Sequence, residues 1–232
     1  MLHTVAVLAD IHGVLPALEA VLAEPDVIAA DAIVLAGDLA SGPQPVATLH
    51  RLRALGERAV WVHGNGERDL VLTARGETVT VPDPIISWAA GQLGAEEIGW
   101  LDGLPLTLVR EVAGLGQVMF CHATPRDDEE VALVDSSMAR WEQVLGGLPP
   151  QVGTVVCGHT HMPFLRLLDR RTVVNPGSIG MPYGTAGAHW ALLGGSGAAS
   201  ISLRRTGYDA DAACESIIGG CDYPEIEEWV DY

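Results

Sequence analysis

The sequence predicts one α/β domain in which helices flank a mixed β-sheet. Over its first 63 residues, strand-like apolar runs alternate with helical patterns across short connections, which is typical of a parallel sheet. Later apolar runs, some around Gly-rich turns, add antiparallel strands. A chain of 232 residues that is 48% hydrophobic and 19% charged can enclose one substantial core.

The parallel part of the sheet is predicted in the first third of the chain. Strands are expected at residues 3–9, 32–36 and 59–63 because each is a short, nearly continuous apolar run. Helices are expected at residues 15–23 and 46–55. In the first of these helices, leucines recur at intervals of three and four and mark a buried stripe.

The pattern changes after residue 68. Residues 82–104 are expected to be helical and to cap the site or pack on one face. The remaining expected elements are a hairpin at 107–112 and 117–120, a helix at 136–145, and strands at 154–157, 164–168, 172–174, 189–193 and 200–203. We assign residues 1–208 to a single domain. Residues 209–232 carry eight Asp or Glu and no Arg, and we expect an acidic C-terminal helix or tail, solvated or partly disordered.

Composition excludes several classes of function. The net charge of −17 argues against binding long nucleic acid, whose affinity depends on Lys and Arg. The chain has no Lys, which excludes a phosphate-loop lysine and Schiff-base chemistry. No apolar run reaches the roughly 20 residues that cross a bilayer, and no leader pattern is present. We therefore expect a cytoplasmic protein with no membrane partner.

The four cysteines show no zinc-type pair spacing and are too few for a disulfide framework at this length. Cys121 and Cys157 lie in strand-like runs, so we interpret them as small buried residues. A role as metal ligands stays open for both, because each lies next to or near a candidate ligand.

The most informative feature is a set of short polar clusters, each placed where an apolar run ends. Polar residues at the carboxyl ends of parallel strands converge on one crevice. We therefore expect the clusters to form one site. They are Asp10-Ile11-His12, Gly37-Asp38, Gly64-Asn65, Cys121-His122 and Gly158-His159-Thr160-His161.

The clusters supply three oxygen-donor side chains and four imidazoles, the ligand mix that borderline transition metals prefer. Singly, each residue is better read as a turn, cap or core residue. Together, their placement at successive strand ends favours a metal site. Asp10 and His12, two residues apart, can reach one metal from the end of the first strand. The carboxylate of Asp38 is suited to bridging two ions, and Asn65 offers a neutral amide oxygen.

These ordered motifs resemble those of the calcineurin-like metallophosphoesterases, in particular the compact bacterial and archaeal branch. The resemblance extends to about residue 220 and includes residues 10–22, 37–45, 121–126, 175–180 and 208–213. It implies an α/β (α+β) sandwich, in which two mixed β-sheets pack together and are flanked by helices.

The resemblance also implies a dinuclear centre. One metal would be held by Asp10, His12, Asp38 and His161, and the other by Asp38, Asn65, His122 and His159. A hydroxide shared by two divalent transition-metal ions would attack phosphorus in line. Manganese is our first expectation, with iron, zinc, nickel and cobalt as alternatives. The residues expected to act in catalysis are Asp38, His122, His159 and His161.

One position departs from the family pattern. Many relatives have His after the Gly-Asn of the third motif, where it assists the leaving group, but here that residue is Gly66. Our hypothesis is that activity toward esters with basic leaving groups is lowered, while activated aryl esters are spared. His63 is nearby, but we expect it to face the core.

Substrate contacts are the least determined part of the site. Asn65, Arg68 and Arg126 are candidates for binding phosphate, since a guanidinium matches phosphate oxygens bidentately. The alternatives are salt bridges of Arg126 with Asp127 or Asp128, and of Arg68 with Glu67 or Asp69. Three further expectations concern the surroundings of the site. The turn at residues 175–178 is structural rather than catalytic. The substrate opening is shaped by Met181, Tyr183 and His189, and Trp229 anchors the tail or a partner.

The leading prediction is metal-dependent hydrolysis of a small phosphate ester, with a phosphodiester favoured. The alternative is a binding scaffold of the same fold with weak or no catalysis, supported only by Gly66. A Rossmann or phosphate-loop nucleotide-binding domain is set aside because the required glycine and lysine motifs are missing. A homo-oligomer stays open.

Overall fold

Two five-stranded sheets form the centre of the protein. The structure is a computed structural model that describes residues 1–194 and 200–231. The first sheet has the spatial order β10 (Ile201–Thr206), β9 (Ala188–Gly194), β1 (Thr4–Leu8), β2 (Ala32–Ala36) and β3 (Ala59–Val62). Strands β1, β2 and β3 are parallel, and β9 and β10 extend the sheet in antiparallel pairs.

The second sheet is also mixed. Its order is β4 (Thr107–Val112), β5 (Gly116–Cys121), β6 (Val152–Val156), β8 (Arg171–Asn175) and β7 (Phe164–Leu168). Strands β5, β6 and β8 are parallel to one another, whereas β4 and β7 are antiparallel edge strands. Each sheet therefore presents the carboxyl ends of three parallel strands.

The sheets pack face to face through alternate residues of each strand. Val5 and Val7 of β1 are buried between the sheets against Phe120 and Val156, while Ala6 and Leu8 face the helices on the other side. This alternation is the period of two that a pleated strand imposes. The predicted sandwich of two mixed sheets is confirmed.

Helices cover both outer faces and one end. In chain order they are α1 (Leu15–Leu22), α2 (Pro25–Ala29), α3 (Pro45–Arg53), α4 (Asn65–Ala74), α5 (Pro84–Gln92), α6 (Ala95–Asp102), α7 (Met138–Val144), α8 (Ala210–Gly220) and α9 (Ile226–Val230). The helical region expected at residues 82–104 is two helices, α5 and α6, divided at Leu93 and Gly94. Among the described residues, the helices are all too short or too polar to span a bilayer.

The C-terminal segment is folded rather than solvated. Ile217 of α8, Tyr223 and Ile226 of α9 are buried in the cluster on the outer face of the first sheet. The indole of Trp88 donates a hydrogen bond to Asp222 at 3.1 Å. The expectation of a solvated or partly disordered tail is therefore wrong, because the acidic residues lie on the outer side of helices whose inner side is apolar.

Candidate metal centre

The polar clusters meet at the carboxyl ends of the parallel strands of both sheets. Asp10 and His12 follow β1, Asp38 follows β2, and Asn65 opens α4 directly after β3. The second sheet contributes His122 after β5, and His159 and His161 after β6. The structure thus brings all seven candidate ligands into one region, as the topology of parallel strands requires.

The backbone is strained where most of these residues lie. Among the described non-glycine residues, six have a positive φ, and five of them are candidate ligands. These five are Asp10 (54°), His12 (48°), Asp38 (52°), His159 (65°) and His161 (58°). Left-handed backbone is costly for residues with a Cβ and persists where the surrounding structure enforces it, often at functional sites. The clustering of positive φ angles therefore indicates that these loops form a functional site.

Asp10, His12 and His161 form the first donor group. Their ligand atoms all lie within 4.8 Å of one another. The Nε2 atoms of His12 and His161 are 3.1 Å apart, and His161 Nε2 is 3.4 Å from Asp10 Oδ1. Two imidazole nitrogens and a carboxylate oxygen therefore point at one small volume.

Asp10, Asp38 and His122 form the second donor group, again within 4.8 Å. His122 Nε2 lies 3.4 Å from Asp38 Oδ1 and 3.9 Å from Asp10 Oδ1. The amide oxygen of Asn65 is 3.2 Å from the same nitrogen. His122 Nδ1 donates to the carbonyl of Ala36 at 2.8 Å, which orients Nε2 toward the group.

The two donor groups are joined through both aspartates. Asp10 belongs to each group. The two oxygens of Asp38 face different groups, since Oδ1 lies near His122 and Oδ2 lies 3.8 Å from His12 Nε2. The pattern is that of a site with two adjacent positions and shared carboxylates.

His159 is near the centre but outside both donor groups. Its ring centroid is 5.2 Å from that of His122. Its Nε2 donates to the carbonyl of Glu129 at 3.0 Å, which leaves Nδ1 as the nitrogen that can reach a metal. Its backbone amide donates to both carboxylate oxygens of Asp10 at 3.1 Å. This last contact ties the second sheet to the first.

The electrostatics of the site fit a cation. Asp10 and Asp38 are buried, with exposed fractions of 0% and 4%, and in the described part of the chain no arginine pairs with either. Burial lowers the pKa of His122, but Asp38 and Asp10 outweigh it and raise that pKa to about 10. Burial raises the pKa of Asp38, but His122 and His12 outweigh it and lower that pKa. Two buried carboxylates with no arginine partner, surrounded by imidazoles that give up their ring protons to a metal ion, suit divalent transition metals.

Glu67 holds the loop that carries Asp38, a role that the sequence interpretation missed. Its side chain is fully buried, and it accepts hydrogen bonds from the amides of Asp38, Leu39 and Gly64 at 2.8, 2.7 and 2.9 Å. The spacing from Gly64 to Glu67 is that of a capping box at the start of α4, of which the glutamate half is present, since Gly64 has no side chain. That spacing is the signal from which both α4 and this residue could have been found.

Close approach to the candidate ligands requires glycine at several positions, including Gly37 and Gly66. At Gly37, whose φ is +86°, a Cβ would lie 2.5 Å from His122 Nδ1. At Gly66, a Cβ would lie 2.5 Å from Ser41 Oγ and 2.8 Å from Asp38 Oδ1. The amide of Gly66 donates to Asp38 Oδ1 at 2.6 Å. The side chain of Ser41 thus occupies space that a side chain at position 66 would need.

His63 does not face the core as expected. Its side chain is 22% exposed, and Nδ1 lies 3.5 Å from Asp128 Oδ2. The expectation failed because β3 is an edge strand, so the side chain at its end meets the loop that contains Asp128 rather than the interior.

The two candidate phosphate-binding arginines are both engaged by carboxylates. Arg68 contacts Asp69 at 3.1 Å and Glu129 at 3.0 Å and also pairs with Asp128, so one of its predicted alternatives, Asp69, is present. Arg126 pairs bidentately with Glu130, at 2.8 Å from Nε and 2.5 Å from Nη2, rather than with the expected Asp127 or Asp128.

The turn at residues 175–178 braces the ligand loops. Asn175 donates to the carbonyl of Gly158 at 2.7 Å, and Ser178 donates to the carbonyl of Asp10 at 2.7 Å. Both residues are buried. The described contacts of the turn are those of a support that joins the loops after β1 and β6. Cys121 and Cys157 are buried in the cluster beneath α7.

Comparison with known proteins agrees with this geometry. The sequence profile of the calcineurin-like phosphoesterase superfamily domain matches residues 4–195. An uncharacterized protein of Methanocaldococcus jannaschii is 26% identical, with 97% of this chain and 95% of that protein covered. A symmetrical bis(5'-nucleosyl)-tetraphosphatase of Janthinobacterium is 34% identical over 47% of this chain and 40% of its own length. The crystal structure of a metallophosphoesterase from Sphaerobacter thermophilus aligns with a TM-score of 0.76 at 22% identity, covering 98% of this chain and 97% of its own.

Proposed function

The chain belongs to the calcineurin-like phosphoesterase superfamily, and we propose that it hydrolyses a small phosphate ester, preferably a phosphodiester, with two divalent transition-metal ions. The observation that carries the proposal is the pair of donor groups that share Asp10 and are spanned by the two oxygens of Asp38. Two ions held about 3.5–4 Å apart polarise a phosphoryl oxygen and lower the pKa of a bound water.

The side chains divide into two sets of ligands. Asp10, His12, Asp38 and His161 would hold one ion, and Asp38, Asn65, His122 and His159 the other. Manganese is our first choice, because the mixed carboxylate, amide and imidazole donors suit it, but the set also suits iron, zinc, nickel or cobalt.

The other residues of the site fix the ligands in place. The carbonyls of Ala36 and Glu129 orient the rings of His122 and His159 by accepting their second ring N–H. Glu67 and the amide of Gly66 fix the Asp38 loop and its carboxylate. Such a frame keeps the donors in position before substrate arrives, which is the protein's main contribution to electrostatic catalysis.

The test is metal-dependent turnover of bis-p-nitrophenyl phosphate beside p-nitrophenyl phosphate, together with the metal content of the purified protein. We expect diester turnover with manganese, loss with chelator, and a loss of more than about a hundredfold in Asp38→Asn. Asp169→Asn is the matched control, because Asp169 also has a positive φ, of 53°, but lies in the turn between β7 and β8. Two bound ions with no turnover of either ester would favour the scaffold alternative.

A further inference from the structure

A cavity of about 520 Å³ opens beside the candidate metal centre. The ring of His161 lies between the two, since it belongs to the first donor group and also lines the cavity. The walls come from the loop after β8, from α8 and from α9. A group attached to a phosphorus at the metal centre can therefore extend into this space.

The lining of the cavity is aromatic and aliphatic. Tyr183, Tyr208 and Trp229 surround it, with Met181 and Ile217 between them. Among the lining residues that the structure describes, none carries a carboxylate or a guanidinium. Residues 209–231, which supply two of the walls, are rich in acidic residues and contain no basic residue. A second anionic group placed here would find no arginine in the lining and would lie beside an acidic segment.

The wall formed by the C-terminal segment is fixed in place before any ligand binds. Ile217 and Ile226 are buried in the core on the outer face of the first sheet. Asp222 accepts the hydrogen bond from Trp88, whose ring lies 5.9 Å from that of Tyr223. A preformed apolar pocket of this kind binds without the cost of ordering its own walls.

We propose that this cavity binds an uncharged aromatic ester group of the substrate, so that the preferred substrate is a phosphodiester with one aromatic substituent beside His161. The inference rests on the proposed function and specifies its substrate class. It disfavours a polyphosphate chain in this direction, because such a chain needs cations that the lining does not provide.

The first test compares two diesters that share one leaving group. Bis-p-nitrophenyl phosphate offers a second aromatic group, whereas methyl p-nitrophenyl phosphate offers only a methyl group. For Tyr183→Ala and Ala210→Trp, which respectively open and fill the cavity, we expect KM for the aryl diester to rise by about fivefold with kcat unchanged. KM for the methyl ester should stay constant.

The matched control is Leu167→Ala, which removes an equally exposed apolar side chain from the edge strand β7. Leu167 is 68% exposed and Tyr183 62% exposed, so neither substitution threatens the core. An equal effect of the cavity variants on both esters, or no effect on either, would overturn the assignment. If the unaltered protein hydrolyses neither diester, the result would instead count against the proposed function.

A second test does not need turnover. Cys214 lines the cavity, and Cys221 is the other partly exposed thiol, so Cys221→Ser leaves Cys214 as the accessible one. Diphenylphosphinate and dimethylphosphinate are both monoanions that resist hydrolysis. We expect diphenylphosphinate to slow alkylation of Cys214 about tenfold and dimethylphosphinate to leave it unchanged. Equal protection by both, or protection by neither, would show that the cavity does not take the aromatic group.

Discussion

Glu67 accepts a hydrogen bond from the backbone amide of Asp38, with 2.8 Å between Glu67 Oε2 and Asp38 N. The other carboxylate oxygen accepts the amide of Leu39 at 2.7 Å. Burial and the nearby Asp38 raise the pKa of Glu67 to about 7. One buried side chain thus connects the start of α4 to the loop that carries a shared metal ligand, and it couples stability to the geometry of the centre.

Substitution of Glu67 should therefore lower both stability and metal content. We expect Glu67→Gln to lose about 1–3 kcal/mol of unfolding free energy, because its amide nitrogen would face N–H donors. Glu67→Ala should lose about 3 kcal/mol or more, since it also leaves a cavity. Urea denaturation and metal analysis measure both effects.

Glu97→Ala is the control for this prediction. Glu97 likewise accepts the N-cap amide, that of Gly94, at 2.8 Å at the start of α6, but it is close to solvent and belongs to neither donor group. Its loss should cost about 0.5–1 kcal/mol and leave metal content unchanged. Similar losses in the two variants would contradict the role assigned to Glu67.

Arg68 is expected to act by positioning His159. Its guanidinium holds Asp128 and Glu129, and the carbonyl of Glu129 accepts the hydrogen bond from His159 Nε2. We expect Arg68→Ala to lower kcat for diester hydrolysis by about tenfold, which is typical for the loss of a group that orients a ligand. Steady-state kinetics of both p-nitrophenyl esters measure the change.

Asp128→Asn separates positioning from direct phosphate binding. This variant weakens the tether but keeps the guanidinium. If Arg68 acts through the loop, Asp128→Asn should also lower kcat, though by less than Arg68→Ala does. Unchanged kcat in Asp128→Asn, with a raised inhibition constant for inorganic phosphate only in Arg68→Ala, would assign Arg68 to the substrate instead.

Position 66 should accept a larger residue only when Ser41 is replaced as well. A Cβ at position 66 would lie 2.5 Å from Ser41 Oγ, so Gly66→His alone is expected to disturb the Asp38 loop and to lower activity. Gly66→His with Ser41→Gly removes that contact, so that only the Asp38 carboxylate, whose Oδ1 would lie 2.8 Å from the new Cβ, has to shift. We expect the double variant to gain most on esters with basic leaving groups, because a histidine can supply a proton there.

The measurement is a series of aryl phosphodiesters with leaving groups of increasing pKa. The slope of log kcat/KM against leaving-group pKa should be steep for the unaltered protein and shallower for the double variant. Ser41→Gly alone is the control. An unchanged slope in a folded, metal-loaded double variant would contradict the hypothesis that Gly66 limits these substrates.

The strands of both sheets and the position of the ligand loops at the strand ends could be predicted from the sequence. This was possible because continuous apolar runs that end in polar residues have few structural interpretations. Glu67 was missed because a charged residue after Gly64-Asn65-Gly66 reads as part of a turn, although its spacing from Gly64 also fits the start of a helix; its burial shows that it supports the Asp38 loop. The orientation of His63 depends on a loop 65 residues later in the chain, at Asp128. The apolar side of the C-terminal segment was hidden by its overall acidity.

The pair of Arg126 and Glu130 should affect stability but not substrate binding. The hydrogen bonds from Arg126, together with Thr124 and Arg140, lower the pKa of Glu130 to about 2. A carboxylate whose pKa is lowered by folding stabilises the native state above its unfolded pKa of about 4.3, and that contribution is lost as the pH falls toward 2. Arg126→Ala should therefore be less stable than the unaltered protein at pH 7, and the difference in unfolding free energy should shrink by pH 3.

Denaturant unfolding at the two pH values measures this difference. The control is Arg75→Ala, which breaks the exposed pair with Asp102. A raised KM for both esters in Arg126→Ala, at unchanged stability, would return this arginine to the phosphate-binding role expected from the sequence.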